Sequence, residues 1–305
     1  MRLFYVELCR RHRSRIPYIV HLEDNERLVT QNRLGLSQID YQTIADGRHK
    51  LDNVGAAVMH PRKGTEFLRG AVGITALIDN LLETLPVSCP SQVFWPGYDP
   101  IFENPSPTAA LRLRAQLGLT PQQRLTAYTG NVHTSNLNEV RHLYQAVARI
   151  NQAGQPLLLL RTGQDIVPPV SRHETDLTRN VIHLGQLPRQ DLPTLLRTSD
   201  ILIQPGEVDE WNLYRVPSKL PEYLASSRPV LLPRANLGTV LTHGSNALIV
   251  DVGDAQTIAE TVLDWLPRTN QLLKIGIRGG LFARRELSWE QAAQKVAKLY
   301  ERAAT

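Results

Sequence analysis

The chain has 305 residues and a formal charge of +5, with 42% hydrophobic and 21% charged residues. This composition supports one or two domains with buried cores, and it excludes a disordered or collagen-like chain. No apolar run approaches the roughly 18 residues of a membrane helix, and the charged start MRLFYVELCRRHRSR is unlike a secretory signal. Two cysteines, Cys9 and Cys89, are too few for a disulfide framework and favour a reducing, cytoplasmic environment.

The first third of the chain mixes helical patterns with short strands. Residues 2–13 predict a helix, and IPYIVHLED (16–24) predicts a buried strand. Short helices and loops are expected next, and residues 53–61 fit either a helix or a short strand. Residues 70–86 predict a strand followed by a helix, and residues 91–102 predict a third strand that runs into a loop.

A linker is predicted at ENPSPT (103–108), where two prolines and small polar residues interrupt the pattern. After it, apolar strands and helices alternate regularly. The predicted strands are 124–131, 156–163, 180–187, 201–206, 228–233 and 246–254. The predicted helices are 136–154, 192–200, 217–227, 255–266, 270–284 and 288–303. Strands spaced by helices indicate a parallel, Rossmann-like α/β sheet.

Ligands of open parallel sheets bind beyond the carboxyl ends of the strands. The segment YTGNVHTSN (128–136) places a glycine turn between a strand and the start of a helix. Free backbone N–H groups at a helix start suit a phosphate, so this turn is a candidate phosphate loop. The alternative is an ordinary strand-to-helix turn.

A second candidate is RVPSKLPEYLA (215–225), which leads into a predicted helix. Two cations, Arg215 and Lys219, lie near Glu222 in sequence and can clamp a diphosphate while the carboxylate holds ribose hydroxyls. Ser218 can share their helix face. The alternative is a surface Lys219–Glu222 pair of little energetic value.

His21 stands at the end of a predicted strand, close to Glu23 and Asp24. It is a candidate general base or orienting group, and the alternative is a hydrogen-bonded histidine at the edge of the core. The histidines show neither HxH nor HExxH spacing, so no metal site is predicted.

The net charge of +5 permits an anionic partner: a phosphorylated small molecule, a membrane surface or a nucleic acid. The dense basic run is Arg10, Arg11, Arg13 and Arg15. It is interpreted either as a solvated helix end or as a contact with an anionic membrane. No aromatic residues are interleaved with it, so nucleic-acid binding is not expected.

Residues 124–300 resemble the nucleotide-sugar-binding half of retaining family 4 glycosyltransferases, which have the GT-B architecture. The most specific piece is YRVPSKLPEYLASSRPVLLPRANLG (214–238), which looks like the family's PSKLxEYLAxGxPV block. YTGN, LRTG and VIHLGQLPRQDLPTLLRTSDILIQP support it in the same order along the chain. Residues 18–26 and 74–102 resemble parts of the family's acceptor domain more weakly.

The resemblance implies an α/β, GT-B-like fold with two Rossmann-like domains and parallel sheets. Residues 1–107 are expected to form a partial acceptor-side domain, with the terminal helix 288–305 packing back on it. Residues 108–287 are expected to form the nucleotide-sugar-binding domain. The family's opening strands and Gly-rich loop have no counterpart in the chain, so the N-terminal domain is expected to be incomplete.

The resemblance also implies roles for particular residues. Glu222 matches the glutamate that holds the ribose hydroxyls, and Tyr214 stands where the family has an acidic residue. The candidate catalytic residues are His21, Arg215 and Lys219. The candidate donor-binding residues are Gly130, Asn131, Arg161, Gly185, Leu187, Asp209, Glu210, Ser218 and Glu222.

The expected function is transfer of a sugar, with retention, from a nucleotide-diphosphate sugar to a hydroxyl of a glycan or glycolipid in cell-surface polysaccharide or glycoconjugate synthesis. The donor is a substrate, and no cofactor or metal is expected. The expected partners are the nucleotide sugar and a glycan or lipid-linked acceptor. The expected location is the cytoplasm, with peripheral contact at the inner face of an anionic membrane. The alternative is a truncated, non-catalytic remnant that binds nucleotide sugars.

Overall fold

The computed structural model describes residues 11, 16–52, 54–55, 58–83, 85, 88–103, 105–120 and 122–304. Except for Arg11, the helix predicted at 2–13 lies outside the described residues. The chain divides into two compact units. Unit 1 comprises Met1–Trp95 and Glu290–Thr305, and unit 2 comprises Pro96–Trp289.

Unit 1 is built on a three-stranded parallel sheet with the order β1–β2–β3. Its strands are β1 (Ile19–Leu22), β2 (Gly73–Ala76) and β3 (Ser91–Val93). All three strands occur where the sequence predicts them. The helices between them are α1 (Glu26–Leu34), α2 (Gln38–Ala45), α3 (Pro61–Arg69) and α4 (Asn80–Glu83).

The helix α3 was not expected from the sequence. The described residues of 53–61 form neither a helix nor a strand before Pro61, where α3 begins. The His60 side chain caps the new helix by accepting the Lys63 N–H at 3.4 Å. Proline suits the first position of a helix because the N–H that it lacks would have no partner there.

Unit 2 is built on a six-stranded parallel sheet with the order β6–β5–β4–β7–β8–β9. Its strands are β4 (Arg124–Thr129), β5 (Leu157–Thr162), β6 (Val181–His183), β7 (Ile201–Ile203), β8 (Val230–Pro233) and β9 (Leu248–Val250). Its helices are α5 (Pro107–Gln116), α6 (Leu137–Gln152), α7 (Thr175–Thr178), α8 (Leu192–Thr198), α9 (Lys219–Ala225), α10 (Ala255–Trp265) and α11 (Thr269–Glu286). The last helix, α12 (Trp289–Ala304), belongs to unit 1 from Glu290 onwards.

The core of unit 2 lies between the sheet and the helices α6 and α10. Val140 and Leu143 of α6 and Ile258 and Val262 of α10 are fully buried in it. The strand residue Leu159 is fully buried in the same cluster. The continuous apolar strands predicted from the sequence are therefore those of a sheet covered by helices.

The linker predicted at 103–108 runs directly into α5. Ser106 accepts the Ala109 N–H at 3.2 Å, and Pro107 occupies the first turn of the helix. The sequence interpretation omitted α5 because it treated both prolines as breaks. As at Pro61, a proline at a helix start is a start signal.

The helix α11 packs closely against the end of α9. A Cβ atom on Gly276 would lie 2.5 Å from the Ser227 carbonyl oxygen, and one on Gly280 would lie 2.2 Å from its Oγ. A larger residue at Gly276 would therefore require a shift of the backbone, and one at Gly280 would require the Ser227 side chain to move. This contact fixes the helix that carries Lys219 and Glu222.

Candidate functional site

The candidate site lies at the carboxyl edge of the six-stranded sheet. The strand β4 has β5 on one side and β7 on the other, so the order of the strands along the chain reverses at β4. Ligands of open α/β sheets bind at such a switch point. The turns that follow β4, β5 and β6 meet here.

The turn after β4 is held in one conformation. Gly130 has a φ of +118° and Gly163, in the turn after β5, has a φ of +105°. A Cβ atom on Gly163 would lie 2.5 Å from the Gly130 oxygen, so the two turns touch through their backbones. Asn131 Oδ1 accepts the Gln164 N–H at 2.8 Å and links the turns a second time.

Arg161, in β5, brings a buried positive charge beneath these turns. It is 1% exposed, pairs with Asp165 at 2.5 Å and donates to the Gly130 carbonyl at 3.2 Å. Its guanidinium lies 4.9 Å from the centre of the Tyr128 ring, and its Nε has no hydrogen-bond partner. The arginine is therefore fixed in place in the free protein.

Lys219, the first residue of α9, points towards the same tyrosine. Its Nζ lies 3.6 Å from the centre of the Tyr128 ring and 3.5 Å from the Cβ position of Gly130. Within the described part of the chain, no carboxylate forms an ion pair with it. Burial, followed by repulsion from Arg161, lowers the pKa of Lys219 from 10.5 to about 7. An anion bound beside the turn would restore its charge.

Arg215 already has hydrogen-bond partners in the free protein. Its guanidinium donates to Glu139 of α6 and, through Nε, to Asn212 Oδ1 at 2.9 Å. Asn212 is 2% exposed and donates to the same Glu139 oxygen at 2.9 Å. Asp209 accepts the Asn212 backbone N–H at 2.7 Å, which holds the turn between these two residues. The sequence does not point to Glu139, because it precedes Arg215 by 76 residues and no local pattern links the two.

Glu222 lies on α9, one turn beyond Lys219, but the two do not pair. Its side chain is 15% exposed and accepts from Arg189 at 3.0 Å. Arg189 also lies 3.4 Å from Asp99. Burial raises the pKa of Glu222, and the Arg189 charge opposes that rise. The alternative of a surface Lys219–Glu222 pair is therefore wrong, and Arg189 is a site residue that the sequence analysis missed.

Tyr223 anchors α9 to the end of β4. Its hydroxyl accepts the Thr129 N–H at 2.9 Å, and the residue is fully buried. This bond fixes the start of α9 next to the Gly130 turn. Its apolar setting in the sequence gave no signal of that contact.

The other predicted residues divide into two groups. The Gly185 carbonyl accepts the Gly163 N–H at 2.9 Å, so Gly185 joins the linked turns, and Leu187 follows it half-buried. Ser218 and Glu210 are exposed. Thus Gly130, Asn131, Arg161, Gly185, Lys219, Arg215 and Glu222 belong to one connected set of loops and helix starts.

His21 belongs to unit 1. Its Nδ1 is hydrogen-bonded to Thr75 Oγ1 at 2.9 Å, and its ring stacks on Phe94 with centres 5.1 Å apart. Its Nε2 lies 3.7 Å from Glu23, and the side chain is 36% exposed. The ring is therefore held in one orientation with one edge open.

The residues that the structure describes hold no group of three His, Cys, Asp or Glu side chains arranged to bind a metal ion. In the same residues, every helix is too short or too polar to cross a bilayer. The basic residues Arg10, Arg13 and Arg15 lie outside the described part.

A family model matches part of unit 2. Residues 123–267 match the family model Glyco_trans_1_4, described as glycosyl transferases group 1. No curated protein matches the chain. The matched segment contains every predicted donor-binding residue.

Solved structures match almost the whole chain. HepE from Anabaena, solved in complex with UDP and glucose, has a TM-score of 0.71 and 17% identity, over 99% of this chain and 76% of its own. Sucrose-phosphate synthase from Thermosynechococcus elongatus has a TM-score of 0.71 and 16% identity, over 99% and 72%. A TarM variant from S. aureus, in complex with Fondaparinux, alpha-GlcNAc-glycerol and UDP, has a TM-score of 0.62 and 12% identity, over 83% and 48%.

At such low identity the structural matches establish the fold, which is an α/β GT-B fold with parallel sheets. The predicted fold class is confirmed. The group 1 domain, together with the GT-B neighbours, supports a glycosyltransferase.

Proposed function

We propose that the chain transfers a sugar from a nucleoside-diphosphate sugar to a hydroxyl acceptor with retention of configuration. The observation that carries the proposal is Lys219, a largely desolvated cation that lies 3.6 Å from the Tyr128 ring centre beside the Gly130 turn. Its pKa of about 7 marks a group that lacks an anionic partner. A diphosphate supplies that partner.

The donor diphosphate binds at the turn after β4. Lys219 and Arg161 supply positive charge, and Asn131 supplies a backbone N–H. The Gly130 N–H already donates to the Thr162 carbonyl at 3.1 Å, so Gly130 contributes the shape of the turn. Arg161 acts through its fixed charge because Asp165 and the Gly130 carbonyl already hold its terminal nitrogens. Arg215 lies near Lys219 with its charge paired to Glu139, and it is assigned to the diphosphate through that position.

The nucleoside of the donor binds between the start of α9 and the turn that follows β6. Glu222 accepts hydrogen bonds from the ribose hydroxyls once Arg189 releases it. Gly185 and Leu187 contact the base through backbone groups. Since HepE is solved with UDP and UDP-glucose, UDP is the donor nucleotide that we test first. Asp209, Glu210 and Ser218 lie on the loop that leads into α9, on the side proposed for the donor sugar.

The chemical step breaks the bond between the anomeric carbon and the diphosphate oxygen, and it forms a bond to the acceptor oxygen. Negative charge grows on the departing diphosphate, and the proton of the acceptor hydroxyl passes to a departing diphosphate oxygen. Lys219 and Arg161 stabilise that charge, and preorganised charges of this kind are usually the largest contribution to catalysis. His21 of unit 1, oriented by Thr75, is assigned to contact with sugar hydroxyls.

The acceptor is a glycan or a lipid-linked saccharide in the synthesis of a cell-surface polysaccharide or glycoconjugate. The TarM variant is solved with Fondaparinux and alpha-GlcNAc-glycerol, so a saccharide acceptor is the class to test first. The basic run from Arg10 to Arg15 suits peripheral contact with an anionic membrane.

A second candidate is a protein that binds nucleotide sugars without turning them over. It is favoured by two observations: Tyr214 replaces the acidic residue of the family pattern, and Arg189 occupies Glu222 in the free protein. Both candidates predict donor binding, and they differ in turnover.

The test is a panel of radiolabelled nucleotide sugars, with donor hydrolysis and transfer to saccharides as readouts. The full chain is compared with Glu222→Ala and with the matched control Glu260→Ala, an exposed glutamate on α10. Turnover that Glu222→Ala abolishes and Glu260→Ala retains supports the transferase. Donor binding without turnover by any donor supports the second candidate, and absence of both binding and turnover contradicts both.

A further inference from the structure

A cavity of about 460 Å³ lies among residues of unit 1 alone. It opens beyond the carboxyl end of β1 and is lined by α1, α2, α3 and the residues that follow β2. Its apolar wall is formed by Leu22, Leu68 and Leu81, all of which are buried. The volume falls in the range of about 300–1,000 Å³ that is usual for small-molecule sites.

Two donors in the lining have no partner. Asn25 is 7% exposed, and its Oδ1 accepts the Leu28 N–H at 3.2 Å as the cap of α1. Its Nδ2 is buried and makes no hydrogen bond, and neither does the buried Nε of Arg27. Buried donors without partners are rare in folded proteins and call for an explanation. A hydrogen-bond acceptor on a bound ligand would give both donors a partner.

The acidic residues around the cavity do not provide that acceptor. Asp46 is held by Arg48 at 2.8 Å, and Glu66 is held by Arg62 at 3.1 Å. Asp24 and Glu26 also line the cavity, and each has an interaction of its own.

Two arginines of the lining make fewer contacts with carboxylates than the acidic residues make with cations. In the part of the chain that the structure describes, neither Arg27 nor Arg69 forms an ion pair. The N-terminus of α1, capped by Asn25, adds partial positive charge to the same wall. The cavity therefore combines an apolar wall with two buried donors that lack acceptors, Asn25 Nδ2 and Arg27 Nε, while Arg69 interacts electrostatically with Asp46.

We propose that this cavity binds an anionic saccharide whose carboxylate or phosphate group is held by Arg27 and the Asn25 amide. A guanidinium presents its donors as a planar fork that matches carboxylate and phosphate oxygens. Arg69 adds charge from α3, and the sugar ring packs on the leucine wall. This inference rests on the proposed function in one respect, namely that the saccharide is the acceptor.

The test is direct binding to the full chain, with no donor present and at fixed ionic strength. The probes are methyl glucuronide, glucose 6-phosphate, the neutral methyl glucoside and inorganic phosphate. Calorimetry or ligand-detected NMR measures the affinity of each. We expect both anionic sugars to bind at least about tenfold more tightly than methyl glucoside, because charged hydrogen bonds are about twice as strong as neutral ones.

Three variants locate the site. Arg27→Gln removes the charge, and Asn25→Asp removes the Nδ2 donor while keeping an oxygen to cap α1. Both should abolish the preference for the anionic sugars. Arg33→Gln, which changes an exposed arginine on the same helix outside the cavity lining, should keep it.

Equal affinity for methyl glucuronide and methyl glucoside contradicts the proposal, as does an equal loss in Arg33→Gln. Inorganic phosphate that binds as tightly as glucose 6-phosphate contradicts the saccharide and indicates a bare anion site. UDP binding is measured on the same samples. Normal UDP binding without any sugar preference overturns this inference alone, whereas a sugar preference without UDP binding overturns only the proposed function.

Discussion

The ammonium group of Lys219 lies 3.6 Å from the centre of the Tyr128 ring. The negative face of an aromatic ring attracts a cation, so the ring holds the lysine beside the Gly130 turn when no anion is bound. Attraction of this kind is weaker than a buried ion pair, and the pKa of Lys219 falls to about 7. The lysine is therefore held in position while its charge remains available.

The first prediction concerns Lys219→Met. The variant keeps a flexible apolar chain over Tyr128 but has no charge, so it should bind UDP at least about tenfold more weakly, since a hydrogen bond to a charged group contributes about 1.5–3 kcal/mol. The melting temperature of the free protein should stay the same or rise, because a poorly solvated cation is removed. Calorimetry and thermal unfolding measure the two effects. Lys274→Met, at an exposed position of α11, is the control and should change neither; unchanged UDP affinity in Lys219→Met would contradict the assignment.

The second prediction concerns protons. At about pH 8, Lys219 with its pKa of about 7 is mostly neutral in the free protein. A bound diphosphate raises that pKa again, so UDP binding should take up about one proton. Calorimetry in buffers of different ionisation enthalpy counts this proton. The uptake should vanish in Lys219→Met, and a wild-type value near zero would speak against a diphosphate at this lysine.

The same shift affects folding. The pKa of Lys219 in the folded protein, about 7, lies below its ordinary 10.5, so between these values the unfolded chain binds more protons than the folded one. The contribution of Lys219 to the free energy of unfolding therefore rises with pH across that window. Urea titrations of the wild type and Lys219→Met, compared at several pH values, isolate this contribution from other titrating groups.

The third prediction concerns the ribose. If Glu222 accepts the ribose hydroxyls, the wild type should prefer UDP over 2′,3′-dideoxy-UDP by about tenfold or more, because a polar site rejects an analogue that lacks its hydrogen bonds. In Glu222→Ala the two nucleotides should bind alike. Glu260→Ala should keep the wild-type ratio. A ratio that survives Glu222→Ala would place the ribose elsewhere.

The fourth prediction concerns the two touching turns. In Gly163→Ala the new Cβ would lie 2.5 Å from the Gly130 backbone at a φ of +105°. In the control, Gly154→Ala, φ is +85° and no atom lies within 4 Å, so only the backbone penalty of roughly 1–2 kcal/mol applies. Urea unfolding should show a clearly larger loss for Gly163→Ala, together with weaker UDP binding. Equal losses would mean that the turns move apart easily.

Much of unit 2 could be predicted because its strands are continuous apolar runs bounded by glycine and proline. Leu157–Leu160 is such a run, and the structure places it in β5. The helices α3 and α5, which the sequence did not predict, start with Pro61 and Pro107. Proline breaks a helix when it lies in the interior, but it is favoured in the first turn.

The site was predictable only where its residues are close in sequence. Lys219 and Glu222 share a short helix, so their common location followed from their spacing. Their partners come from elsewhere: Tyr128 for Lys219 and Arg189 for Glu222. No local pattern links these pairs, because the sheet order and not the sequence distance brings them together.

The confinement of Arg161 has a further consequence. A free arginine has about 2 kcal/mol of rotamer entropy, and in this chain that freedom is lost on folding, through Asp165 and the Gly130 carbonyl, and not on association with a ligand. Replacing Arg161 alone would leave Asp165 and the Gly130 carbonyl without their donor, so the folded turn depends on this arginine before any ligand arrives. The stability of the turns and the positive charge proposed for donor binding are therefore carried by the same side chain, and a substitution at Arg161 would change both together.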